Sequence, residues 1–412
     1  MENVKNVDII SKELDKALMN HNNWRRTCLN LVASESILWD STNALEYNDL
    51  TRRAILGIPG QRYSEGGEYI DSIEQITDDL LKDVFEAKYA EWRPLSGSIA
   101  DAILIHALTS VKDKIVATPT PLGHPTWHGN GYSGFRGLEI TDTPYDWENL
   151  EPDYDRLSRL TSEENLKLLI EGSSLILFPP DFTKLKRSAS GVPIWYDAAH
   201  VLGLIIGNQF PNPLKYGIAA ISGSTQKTMA GPLGGVILTN NGELYNKVVF
   251  TTSNDMATPD YSRYIMLART LLNWKKDGKK FAERITKNAK SLAEQLVNVG
   301  MNVILENKGY TSTHQLGLVS PESFTSENAA KKLSNSGIIT TPFPLPDRKV
   351  DSQILRLGVT EITQMGFTED DMPLIAMAIK TAFSDTSEAR NMVNNIVEKK
   401  SKDILESGFK IS

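Results

Sequence analysis

Two residues in the middle of this 412-residue chain, Asp197 and Lys227, have the side chains needed to work on a carbonyl compound. A lysine amine that is partly unprotonated condenses with an aldehyde to a Schiff base. A carboxylate within hydrogen-bond reach keeps a heterocyclic nitrogen protonated. Asp197 sits in Trp195-Tyr196-Asp197-Ala198-Ala199-His200, and Lys227 in Ser224-Thr225-Gln226-Lys227-Thr228, ahead of the turn Gly231-Pro232-Leu233-Gly234-Gly235. A third segment, Pro94-Leu95-Ser96-Gly97-Ser98, precedes an apolar stretch from Ile99 to Leu108. Backbone N–H groups at a helix start, with two hydroxyls, suit a phosphate dianion.

Pyridoxal phosphate needs all three parts: an amine for its aldehyde, a carboxylate for its ring nitrogen and a cradle for its phosphate. Each residue alone has a plainer reading. A lysine before a Gly/Pro turn is commonly solvated, Ser-Gly-Ser before a helix is commonly a cap, and His200 is commonly a satisfied core imidazole. The order cradle, Asp-x-x-His, Lys is what favours the chemical reading.

These residues need a scaffold that brings strand ends together. Short apolar runs ending in Gly, Ser or Asp alternate with amphipathic stretches between about residues 85 and 240, the rhythm of βαβ units. Strands are expected at Tyr89 to Pro94, Lys114 to Thr118, Ser174 to Phe178, Pro193 to Asp197, Ala219 to Ser222 and Gly234 to Thr239. In such a mainly parallel sheet the carboxyl ends face one crevice, where Asp197 and Lys227 can converge. Apolar residues at helical spacing from Tyr261 to about Gly300 predict one long helix. Beyond it, strands at Asn302 to Leu305, His314 to Val319, Gly337 to Thr341 and Gln353 to Gly358 mix with helices at Ser326 to Asn335, Asp370 to Phe383 and Ser387 to Leu405. The expected division is an N-terminal helical arm (1–30), a large α/β domain (31–260), a linking helix (261–300) and a small α+β domain (301–412).

Composition removes several function classes. Lys+Arg 44 against Asp+Glu 51 gives a net charge of −7, which does not attract a phosphate backbone, so no nucleic-acid partner is expected. The N-terminus lacks the apolar core of a secretory signal, and no run approaches a membrane span. Cys28, the single cysteine, forms no internal disulfide, and no Cys/His spacing indicates a metal site. A cytoplasmic protein is expected.

Beyond these pieces the chain resembles the serine hydroxymethyltransferases, fold-type I pyridoxal phosphate enzymes, from about Leu31 to Phe367. The motifs are Leu31-Val32-Ala33-Ser34-Glu35, Pro59-Gly60-Gln61-Arg62-Tyr63, Gly67-Glu68-Tyr69-Ile70-Asp71, Leu95-Ser96-Gly97-Ser98, Gly123-His124, Tyr196 through Leu204, Gln226-Lys227-Thr228 with Gly231-Pro232, and Leu355-Arg356-Leu357-Gly358. The resemblance implies that Lys227 carries the cofactor, Asp197 meets its ring nitrogen, His200 its phenolic oxygen, and His124 stacks on the ring. It further implies that Ser96, Gly97 and Ser98 hold the phosphate, that Arg356 with Ser34 binds the substrate carboxylate, and that the enzyme is a homodimer. A guanidinium fork pairs a carboxylate bidentately, which agrees with the role given to Arg356.

The chain departs from the family where it reads Tyr-x-Glu-Gly-Tyr-Pro-Gly-Lys-Arg-Tyr-Tyr-Gly-Gly. Here Leu56 occupies the position of the proton-managing Glu, Ala54 that of the first Tyr and Ser64 that of the second paired Tyr. Glu65 repeats the local Tyr-x-Glu-Gly wording and is the expected replacement, with Glu68 and Glu35 nearby and a solvated loop glutamate as the competing reading. Gln226, Leu233 and Gln364 replace a His and two Arg, and Thr251 to Ala257 replaces a glycine-rich segment.

The favoured activity is hydroxymethyl transfer between serine and glycine or a close analogue, with a tetrahydropterin as possible cosubstrate. The alternative is a pterin-independent β-hydroxy amino acid aldolase or transaldolase, prompted by Leu56 and the altered 251–257 segment. A non-catalytic binding or assembly protein on the same fold is the third reading, against which Lys227, Asp197 and Arg356 speak.

Overall fold

The computed structural model describes residues 7–45, 48–163, 165–256, 259–346 and 353–407. Seven strands form the central sheet: Tyr89–Glu91 (β1), Lys114–Ala117 (β2), Glu139–Asp142 (β3), Leu168–Gly172 (β4), Ile194–Asp197 (β5), Ala220–Ser224 (β6) and Gly235–Thr239 (β7). Their order is β1-β7-β6-β5-β4-β2-β3. All neighbours are parallel except at β7, which runs antiparallel to both β6 and β1. Residues 225–234, which join β6 to β7, are too few for a crossover helix, so β7 must turn back beside β6. Lys227 lies in that turn.

Strands β4 to β7 are buried along their whole length, as expected of strands covered on both faces. Alternation sends Trp195 to one face, with Ala100, Ile103, Leu104 and Trp127, and Tyr196 to the other. The first face is covered by the helices Gly97–Leu108 and Gly242–Asp255, the second by Glu68–Phe85 and the long helix Tyr261–Asn298. That long helix starts on Asp260, whose carboxylate accepts the Ser262 N–H, and buries Leu267, Leu271, Trp274, Phe281, Ile285, Leu292 and Leu296 along one stripe. Trp274 then donates its indole N–H to the Met229 carbonyl at 2.7 Å, fastening the Lys227 turn to the core.

A second, antiparallel sheet has the order β8-β10-β9, from Gln315–Val319 (β8), Thr341–Pro344 (β9) and Gln353–Gly358 (β10). Helices Ser326–Asn335, Met372–Ser384 and Thr386–Ser407 accompany it. Leu29–Asn30 pairs in parallel with Ile338–Ile339, so the chain entering the large sheet is anchored beside the second one. Among the described residues no helix is long and apolar enough to cross a membrane.

Two sequence expectations are corrected, and one strand had no expectation at all. The strand expected at Ser174 to Phe178 is displaced to Leu168–Gly172. Leu175, Ile176 and Leu177 are apolar for another reason: their segment crosses towards the second sheet, where the Ile176 N–H donates to Gln315 Oε1 and the Ser312 N–H to the Leu177 carbonyl. Asn302 to Leu305 makes only one bridge, Val303 with Leu318. The edge strand β3, mostly exposed, has no apolar run to announce it.

The segment carrying Leu56 hangs on Arg62. Its guanidinium donates to Asp71 and Glu74 at 2.7 Å each and to the Gly57 carbonyl at 2.7 Å. Glu74 is buried, so removing its partner strands a carboxylate out of water. Arg62→Ala is expected to lower stability by about 3 kcal/mol, read from urea unfolding, with Arg62→Lys recovering only part of the loss.

Candidate functional site

Each polar group of the site is presented by a strand end or a helix start. Asp197 closes β5, in register with Ser222 of β6 and Gly172 of β4. Gly172 has φ +150°, and a Cβ there would stand 2.9 Å from the Asp197 Cβ, so only glycine leaves room for the carboxylate. Asp197 Oδ1 accepts the Ala199 N–H at 2.7 Å. Burial pushes its carboxyl up, while Lys227 and that N–H pull it back.

The 225–234 turn is held on every side. The Thr225 N–H donates to the Gly234 carbonyl, and the Thr228 hydroxyl donates to the His200 carbonyl at 2.8 Å. Ser36 Oγ donates to the Gln226 carbonyl at 2.6 Å, joining the 31–36 segment to the same turn. Lys227 Nζ thereby comes to 3.1 Å from His200 Nε2. Desolvation lowers the pKa of the amine, and the nearby charge of Arg356 adds to it; Asp197 and Asp101 oppose. His200 is driven well below its ordinary pKa, first by burial and then by Lys227. His314, stacked on His200 at 6.0 Å, is pushed down to about 3 by burial, and its Nε2 donates to the Ala33 carbonyl at 3.2 Å.

Ser96 caps the helix Gly97–Leu108, its hydroxyl accepting the Ile99 N–H at 3.2 Å. A Cβ on Gly97 would stand 2.2 Å from Ser224 Oγ, so backbone and hydroxyl meet there at a distance only glycine allows. Ser98 Oγ lies 3.4 Å from His124 Nε2. The His124 Nδ1 accepts the Thr126 N–H at 3.2 Å, so the neutral ring carries its proton on Nε2 and faces Ser98 as a donor. Burial lowers the His124 pKa, and the ring feels the charges of both Asp197 and Lys227.

Arg356, on β10, is buried against the Phe343 ring at 5.3 Å and donates from Nη1 to the Ser174 carbonyl at 2.5 Å. Among the described residues its Nε has no partner, and burial lowers its pKa to about 10. A desolvated guanidinium with a spare N–H calls for an anion. Ala33 packs against Gly358 of the same strand, which brings the neighbouring Ser34 to that border.

The structure thus gathers Ser34, Ser96, Gly97, Ser98, His124, Asp197, His200, Lys227 and Arg356 at one end of the sheet. Glu65 is different. It lies exposed ahead of Gly67 and shares no hydrogen bond or ion pair with any of them among the described residues. Leu56 is half-buried; Glu68 is exposed, and Glu35 is occupied by Arg25 at 2.6 Å and Asn30 at 2.8 Å. Residue Ala257 of the altered segment lies outside the described residues, whereas Thr251 to Asp255 end a helix.

Sequence reasoning missed Asp101, Ser224 and Gln315. Asp101 is buried in the helix Gly97–Leu108, where it accepts from Ser222 Oγ at 2.8 Å and Trp127 Nε1 at 3.1 Å. A carboxylate among Ala100, Ile103 and Leu104 was its available signal. Among the described residues no group of three or more His, Cys, Asp or Glu could hold a metal ion.

Fit to pyridoxal phosphate can be judged on these atoms: a glycine-only approach at the helix start, an unpartnered Arg356 Nε and a buried amine beside a carboxylate all suit it. Comparison with known proteins agrees. The family model "Serine hydroxymethyltransferase" matches residues 7–379. A serine hydroxymethyltransferase of Staphylothermus marinus is 35% identical over 417 residues, covering 97% of this chain and 94% of that protein. An alpha-methylserine aldolase of Variovorax paradoxus is 36% identical over 369 residues, covering 88% and 84%. The crystal structure of an L-threonine transaldolase from Pseudomonas fluorescens, in its internal aldimine state, shares the fold with a TM-score of 0.87 at 22% identity, over 95% of this chain and 92% of that one.

The Gly97 approach is directly testable. Gly97→Ala forces Ser224 or the helix start to move, and is expected to weaken pyridoxal phosphate binding by about tenfold, near 1.4 kcal/mol, in calorimetric titration. Unchanged affinity would move the phosphate elsewhere.

Proposed function

The chain belongs to the serine hydroxymethyltransferase family, and from that premise we propose that it makes and breaks the Cα–Cβ bond of a β-hydroxy amino acid, with Lys227 as the amine that binds pyridoxal phosphate. The observation that carries this is the buried Lys227 amine at 3.1 Å from His200, in the field of Asp197. When bound, pyridoxal phosphate supplies an aldehyde for an amine and a ring that takes up the electron pair left at Cα.

The chain's own groups have complementary tasks. Asp197 holds a proton on the ring nitrogen, and burial among β4, β5 and β6 keeps water from competing for it. His200 would offer its Nε2 proton to the phenolic oxygen of the bound cofactor, and His124, its own proton directed to Ser98, would stand beside the ring. Ser96, Gly97 and Ser98 receive the phosphate, and Arg356, helped by Ser34, takes the substrate carboxylate through its free N–H. That grip orients the substrate so that the Cα–Cβ bond can be set against the ring.

A base must still remove the β-hydroxyl proton. Leucine at position 56 has no such capacity, and Glu65 can serve only if the exposed 63–66 turn is brought over a site. We propose that a second copy of the chain does so, as a cytosolic homodimer in which the exposed Tyr63, Leu95 and Leu233 are covered. The activity favoured is hydroxymethyl transfer between a serine-type amino acid and a tetrahydropterin. A second reading, an aldolase that releases the aldehyde without a pterin, is motivated by Leu56 and by the relatives named aldolase.

Lys227→Ala is expected to abolish the yellow absorbance of the cofactor-loaded protein and its borohydride-trapped adduct. Glycine formed from serine only with tetrahydropterin supports the transferase; aldehyde released from serine, alpha-methylserine or threonine without pterin supports the aldolase. No glycine and no alanine under any condition would overturn both. Glu65→Gln is expected to lower kcat by 10²-fold or more, on the scale of a lost general base, with little change in cofactor binding.

A further inference from the structure

Gln315 opens β8 with its side chain fully buried. Its amide has one workable orientation. The carbonyl oxygen accepts the Ile176 N–H at 2.7 Å, which leaves the NH2 end for the Ser174 carbonyl at 3.3 Å and for His200 Nδ1 at 3.0 Å. An amide nitrogen donates and does not accept, so Nδ1 must be the acceptor. The one proton of the neutral imidazole then sits on Nε2, 3.1 Å from Lys227 Nζ. An ammonium in that place would set donor against donor. The contact is satisfied only when the amine offers its lone pair.

We propose that Gln315 is a positioning residue that, by fixing the His200 proton on Nε2, holds Lys227 as the uncharged amine competent to condense with an aldehyde. In that condensation the amine nitrogen bonds the aldehyde carbon and the aldehyde oxygen departs as water. The inference rests on the reading of Lys227 as the cofactor-binding amine.

Other charged groups around the amine do not fix its state by themselves. Asp197 and Asp101 favour the ammonium, while Arg356 and desolvation oppose it. His314 stacks on His200 but spends its Nε2 proton on Ala33, and His124 is directed to Ser98. Among the described residues, Gln315 is the one seen to contact His200 Nδ1. Were that contact reversed, the Nε2 lone pair would face Lys227 and draw a proton onto it.

The test uses the full-length, cofactor-free protein. Lys227 is modified with an amine-selective reagent across pH and followed by peptide mass spectrometry, and the His200 tautomer is read from ¹⁵N shifts of labelled histidine. Gln315→Glu replaces the donor with an acceptor. It is expected to move the Lys227 half-modification point up by about one pH unit or more and to shift the His200 proton to Nδ1. Gln315→Met, which removes the donor without adding charge, is expected to give a smaller upward shift. The proposal is overturned by wild-type protein with its His200 proton on Nδ1, or by a folded Gln315→Met whose midpoint equals wild type. Borohydride trapping of pyridoxal phosphate on wild-type Lys227 separates the two levels: no adduct there defeats the Schiff-base reading itself, whatever the tautomer.

Discussion

Lys227 keeps an amine out of water, and a buried amine is costly unless its surroundings decide its protonation. Much of the molecule answers that demand. The antiparallel return from β6 to β7 makes the turn short, Trp274 and Thr228 tie it to the long helix and to the His200 carbonyl, and β5 delivers Asp197 to the same end of the sheet. The same desolvation that depresses the lysine lowers His200 and pushes Asp197 up, and Lys227 and the Ala199 N–H pull the carboxyl back towards its charged form.

Much of this was legible in the sequence. Asp197, His200 and Lys227 each follow an apolar strand, and strand ends in a parallel sheet share a crevice. The long helix and β10 were legible because periodic burial over many residues leaves a strong signal. Gln315 was not: an amide in a short apolar strand has no motif, and its role comes from the loop at Ser174 and Ile176, distant in sequence. That loop was itself misread as a strand because an apolar run that packs between two sheets looks like one that pairs within a sheet. Asp101 was hidden for the opposite reason, since helical charges are usually solvated and this one lies beneath Trp127 and Ser222.

The carboxylate question has a structural counterpart in the 56–67 segment. Arg62 pins it to Asp71 and Glu74, so its fold survives although Leu56 brings no acid. What the segment lacks is an acid at position 56 and not its anchoring. Glu65 and Tyr63 project from it into solvent in the single chain, leaving a surface that a neighbouring subunit can use.

The Ser174 carbonyl offers two lone pairs, and both are taken, one by Arg356 and one by Gln315. Both donors belong to the second sheet, whereas Ser174 follows directly on the large one. One oxygen therefore joins two donors of the second sheet to the loop that leaves the large one, beside the bonds that Ile176 and Leu177 make to the same sheet. A separation of the two sheets at this point would release the guanidinium and the amide together, so on the readings proposed above the hold on a substrate carboxylate and the protonation of Lys227 would change as one event.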